Sequence, residues 1–77
     1  MLITLTEAQI GDHFWVKHIE VAKPKYQKLA HLGIETSKTI VLNHKINAGD
    51  MTVVQTKEKS VALQKEETDQ IYGEVIS

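Results

Sequence analysis

Apolar positions along the chain repeat mostly at the period of a strand. From His13 to Val21 the residues are β-branched and aromatic, with Phe14 and Val16 on one face and His13, Trp15 and Lys17 on the other. The period slips at His18-Ile19, where an apolar residue follows Val16 by three positions instead of two, which predicts a β-bulge or sharp bend. From Lys38 to Ile46, Ile40, Leu42, His44 and Ile46 alternate with Thr39, Val41, Asn43 and Lys45, the pattern of a half-buried strand. Asn47-Ala48-Gly49-Asp50 then reads as a turn. Met51 to Thr56 and Ser60 to Leu63 are two further short strands, joined antiparallel through the charged Lys57-Glu58-Lys59 connection. Glu74-Val75-Ile76 is the last.

Between the first two strands the period changes. Behind Pro24, which suits a helix start, Tyr26, Leu29, Ala30 and Leu32 follow the i, i+3, i+4 spacing of a short amphipathic helix. Gly33 can take the left-handed conformation that stops it, and Ile34 can fold back onto its last turn. Leu5 to Asp12 predicts one helical turn with Thr6 as N-cap and Gly11 as its stop. Lys65 to Ile71 places acids at the start of another turn, where the dipole favours them, before Gly73 releases the chain into the final strand. The tally is about five strands, one short α-helix and a helical turn. It predicts a single, mainly β domain over residues 1–77, rolled into a small barrel, because these helices are too short to cross over between parallel strands.

Composition narrows the function. A 77-residue chain buries only about 60 % of its unfolded surface, so its core is small. The net charge is −1 and all nine basic residues are lysines. Without a basic field or a guanidinium to read phosphate and guanine, nucleic acid is a poor expectation. Cysteine is absent, which removes disulfides and thiolate chemistry and agrees with a reducing compartment. No apolar run reaches the roughly 20 residues of a membrane span, and the first residues lack the regions of a signal peptide, so a cytoplasmic protein without membrane insertion is expected.

Candidate chemistry is sparse. No nucleophile motif or phosphate loop is present, so no catalytic residue and no cofactor are expected. His13, His18, His31 and His44 lack the spacing of a metal site, and none is assigned as a ligand. Glu66, Glu67 and Asp69 have a sufficient explanation in the helix dipole. Trp15 carries more information. With Phe14 and Val16 inward, period 2 puts the only Trp on the outer face, where it is either covered by the N-terminal segment or the helix, or serves as a partner anchor. Lys23, Lys25 and Lys28 place positive charge where the helix dipole disfavours it, as a solvated face or as a lure for an acidic partner.

The order of these features resembles the ferrous iron transport protein A (FeoA) family over nearly the whole chain. Leu5 with Gly11-Asp12 resembles its opening, and Phe14, Val16 and Ile19 its first barrel strand. Leu29 with Leu32-Gly33-Ile34 resembles its helix and the step that ends it, and Ile40 with Leu42 its next strand. Gly49-Asp50, Val61-Ala62-Leu63, Glu66-Glu67 and Ile71 resemble its most specific stretch. Thr36-Ser37 stand where the family usually has Pro-Gly, which predicts a turn of different shape. Gln64 replaces an arginine, Glu58 a turn glycine, and Ala22-Lys23-Pro24 a glycine-rich approach to the helix. The resemblance implies an SH3-like barrel and a non-enzymatic accessory of ferrous iron uptake that binds the cytosolic side of the FeoB transporter. The candidate contact is the helix from Lys25 to Leu32 with its flanking loops, through Lys25, Tyr26, Lys28 and Leu32, with Trp15 as an anchor. The alternative that the resemblance leaves open is a transition-metal-binding domain related to the C-terminal domain of iron-dependent repressors. Weak self-association also stays open.

Overall fold

The computed structural model describes residues 1–76. The strands are β1 (Ile3–Thr4), β2 (His13–Ile19), β3 (Thr39–Ile46), β4 (Met51–Gln55), β5 (Ser60–Gln64) and β6 (Ile71–Val75); the helices are α1 (Lys23–His31) and α2 (Lys65–Thr68). All strand pairs are antiparallel, in one sheet of order β1-β6-β2-β3-β4-β5. The mainly β fold is as expected, with one more strand: β1 is two residues long, too short for any period, and pairs Ile3 with Gly73 and Thr4 with Tyr72.

Two bulges curl the sheet. The one between Val16 and His18, on the β6 side of β2, returns Ile19 to the inner face beside Phe14 and Val16, as the slipped period predicts. A second, between Leu42 and His44, interrupts pairing with β4. It ends the inward set of β3 at Leu42, so His44 and Ile46 are exposed although they continue the alternation. Leu29 of α1 and Ile34 join the inner-face residues in one core.

β1 and β5 form the two edges of the curled sheet. Side chains link the elements that follow them. Thr6, in the 3₁₀ turn Leu5–Glu7 after β1, has its hydroxyl 2.6 Å from that of Thr68 in α2, and Lys45 Nζ donates to the Thr6 carbonyl at 3.1 Å. The cap of this turn is Thr4, two residues before the expected Thr6: the Thr4 N–H donates to the Glu7 carboxylate at 2.8 Å. Gln64 and Glu67 repeat the arrangement at the start of α2, also at 2.8 Å.

α1 ends as anticipated. Gly33, at φ +92, donates its N–H to the Ala30 carbonyl and Ile34 donates to that of Leu29, both at 2.9 Å, closing a Schellman motif. Gly73 is a correction. It lies inside β6, not before it, because an added Cβ would sit 2.0 Å from the Trp15 carbonyl oxygen and 2.7 Å from Phe14 Cε2. It is a close-approach glycine between neighbouring strands.

The Thr36-Ser37 turn keeps the shape a Pro-Gly pair would make. Lys38 N–H donates to the Glu35 carbonyl at 3.3 Å, and Ser37 stands at φ +69, the position of a type II turn that favours glycine. Ser37→Gly should therefore raise the unfolding free energy by about 0.5–1 kcal/mol. Urea denaturation measures this, and a loss would mean that the serine side chain compensates its backbone.

Candidate partner-docking surface

Trp15 stands on the outer face of the sheet, paired with Glu74 on β6 and Thr39 on β3, and keeps 37 % of its surface exposed. Alternation from the buried Phe14 puts it there. Lys17 of the same strand approaches it: its Nζ lies 4.6 Å from the ring centroid, a cation–π contact. Glu74 holds that lysine at 3.8 Å and receives the N-terminal amine at 3.4 Å. A large aromatic with a charged rim is thus presented on rigid strands.

α1 is held on the opposite, inner side by Leu29, its one buried residue. Tyr26 and Leu32 are half-buried against the core, and the Tyr26 hydroxyl accepts the Thr36 N–H at 3.3 Å. Both give much of their surface to packing. Lys23 and Lys28 are exposed. Lys25 is engaged within the molecule, 2.6 Å from the Glu67 carboxylate of α2. The five expected contact residues therefore fall in two places, with Trp15 on the outer sheet face, and Lys25, Tyr26 and Lys28 on α1 with Leu32 at its C-cap.

Sequence reasoning read Glu67 only as a dipole acid and missed its link to Lys25. Glu67 is 15 % exposed. Burial alone would raise its pKa, but the hydrogen bonds from Lys25 and the Gln64 N–H, with the charges of Lys25 and Lys28, outweigh it and hold the carboxyl below its ordinary 4.5. Asp69, bonded by the Thr6 hydroxyl and by Lys65, is also lowered from 3.8. A carboxyl lowered by folding contributes stability above its unfolded pKa, and that contribution is lost as pH falls through the folded value. Thermal stability should thus fall below about pH 4.5, with a shallower acid slope in Glu67→Gln. Equal slopes would show that this carboxylate is not coupled to folding.

An open groove of about 640 Å³ lies between the C-terminal end of α1 and the β4–β5 loop, rimmed by His31, Lys38, Lys57 and Lys59 with Glu35 and Glu58. The sequence pattern did not mark it. Thr56 at its base accepts N–H groups of the loop and packs against Gly33. The histidines are dispersed, and among the described residues no three His, Cys, Asp or Glu are grouped to hold a metal ion. No helix among them is long and apolar enough to cross a membrane. What the surface presents is a partly exposed aromatic on the sheet and a helix that carries lysines and no acid.

Known proteins share this architecture. The FeoA protein from Chlorobium tepidum superposes with a TM-score of 0.88 at 17 % identity, covering 97 % of this chain and 71 % of that one. The FeoA-like protein from Clostridium acetobutylicum gives 0.85 at 26 % identity, covering 99 % and 88 %. A manganese-dependent transcriptional repressor gives 0.83 at 20 % identity, covering 97 % of this chain but 42 % of the repressor, a likeness of fold. No curated protein matches the sequence. The model of the FeoA domain matches residues 3–75, and the chain belongs to that family.

Proposed function

We propose that this domain is a non-catalytic, cytosolic accessory of ferrous iron uptake, which docks on the cytosolic side of the FeoB transporter and modulates it. The observation that carries this reading is the FeoA domain match across residues 3–75. The surface is consistent with it: a partly exposed Trp15 fixed by Lys17 and a helix whose solvent side is basic. Docking through pre-formed strands and a helix needs no bound group and no chemistry, only complementarity.

Trp15→Ala tests the anchor. Trp15 lies outside the core cluster, so the variant's unfolding free energy should fall by only about 1–3 kcal/mol, from lost buried area, strand propensity and the cation–π contact. Binding to the purified cytosolic domain of the cognate FeoB, followed by calorimetry, should weaken by about tenfold or more. Unchanged affinity would move the contact off the outer sheet face. Absence of binding by the parent protein, with tight stoichiometric uptake of ferrous iron, would favour the alternative of a metal-binding domain related to the repressors.

A further inference from the structure

α1 is built against its own electrostatics. Its N-terminus has no side-chain cap and no acid in the first turn, and Lys23, Pro24 and Lys25 open it. The starts of the Leu5–Glu7 turn and of α2 carry acids, with Glu7 and Glu67 accepting backbone N–H groups, whereas the 3₁₀ turn Asn47–Gly49 has none. Nine residues are too few for a helix to persist alone, and two lysines near its positive end make it worse. Its hold on the body is uneven. The C-terminal end is fixed by the Gly33–Ile34 motif and by Leu29. Near the N-terminal end, the ion pair found among the described residues is Lys25–Glu67.

The two halves of that pair are not equally accessible: the Lys25 side chain is 38 % exposed and that of Glu67 15 %. A competitor arriving from solvent reaches the ammonium more readily than the carboxylate, so it must be anionic. Lys23 and Lys28 on the same helix add positive charge around that point, and α1 contains no acid to repel the competitor. Glu67 itself stays anchored when Lys25 leaves, because its carboxylate still accepts the Gln64 N–H.

We infer that the Lys25–Glu67 pair is an intramolecular latch that an acidic segment of the protein partner displaces, taking Lys25 together with Lys23 and Lys28. This rests on the docking reading above and adds the charge of the partner's contact and a contact that holds binding back. The free protein spends part of its binding energy breaking its own pair, so the apparent affinity is below that of an unlatched form.

The test is Glu67→Gln, which removes the charge and keeps an oxygen for the Gln64 N–H, titrated with the cytosolic domain of the cognate FeoB. The latch predicts opposite signs: the variant melts at a lower temperature yet binds about threefold or more tightly, and Lys25→Met loses both stability and affinity. A merely structural pair predicts that Glu67→Gln binds equally or more weakly, which would overturn the latch while leaving the docking reading intact. If neither parent nor variant binds, the docking reading itself fails. Should Glu67→Gln not fold, the parent protein still decides: its Glu67 carboxyl carbon resonance must shift on saturation with the partner, and a fixed resonance would overturn the latch.

Discussion

Gly73→Ala should cost the domain at least about 3 kcal/mol, a large share of the 5–15 kcal/mol typical of small proteins. The added methyl would meet the Trp15 carbonyl oxygen at 2.0 Å and its carbon at 2.9 Å, with Phe14 Cε2 at 2.7 Å. Two of these are backbone atoms of the neighbouring strand, paired to β6 at Val16↔Gly73, and β6 lies between β1 and β2 in the sheet. Relief therefore requires parting two strands rather than turning a side chain. Gly11→Ala is the control. It has open space around it but a φ of +94, so it should lose only about 1 kcal/mol, the cost of the backbone conformation. Urea unfolding of both variants separates the two mechanisms, and a Gly73→Ala protein within 1 kcal/mol of its parent would mean that β2 and β6 separate at little cost.

Leu29→Ala should be nearly as costly, at about 2–5 kcal/mol, because it empties the one fully buried position of α1. Leu32→Ala, at a half-buried position beside it, should lose no more than about 1–2 kcal/mol. The larger loss should come with faster hydrogen exchange at α1 amides than in β3 and β4, since Leu29 is the one fully buried side chain of a helix whose N-terminus is uncapped. If exchange rises uniformly, α1 is an integral part of the cooperative unit and does not loosen on its own.

The parts of the fold legible in the sequence are those with a local cause. The bulge after Val16 appears as a change of period within β2, and the end of α1 as a glycine followed by an apolar residue. Non-local causes were not legible. Gly73 signals a permissive backbone whether it ends a turn or admits a neighbouring strand, and only the pairing with Val16 distinguishes these. The bulge at Leu42 has no signature, because alternation continues through His44 and Ile46. Closure of the barrel was a topological expectation. The sheet is curled, with β1 and β5 at its edges, and the Thr6–Thr68 contact joins the segments that follow them.

The surface divides the same way. Exposure of Trp15 followed from its neighbour Phe14, one residue away on a strand. Engagement of Lys25 by Glu67 could not be read, since the two are far apart in sequence and each has an ordinary local explanation. The apolar stripe of α1 was legible: Tyr26 and Leu32, which share the helical period with Leu29, pack against the core.

The most direct measurement is a residue-by-residue NMR titration of the isotope-labelled protein with the cytosolic domain of the cognate FeoB, with and without nucleotide and ferrous iron. The account predicts shifts clustered on Trp15 and its neighbours and on the exposed side of α1, with iron alone changing little. Silence with the transporter domain, together with sharp changes at His13, His18, His31 or His44 on adding iron alone, would contradict it.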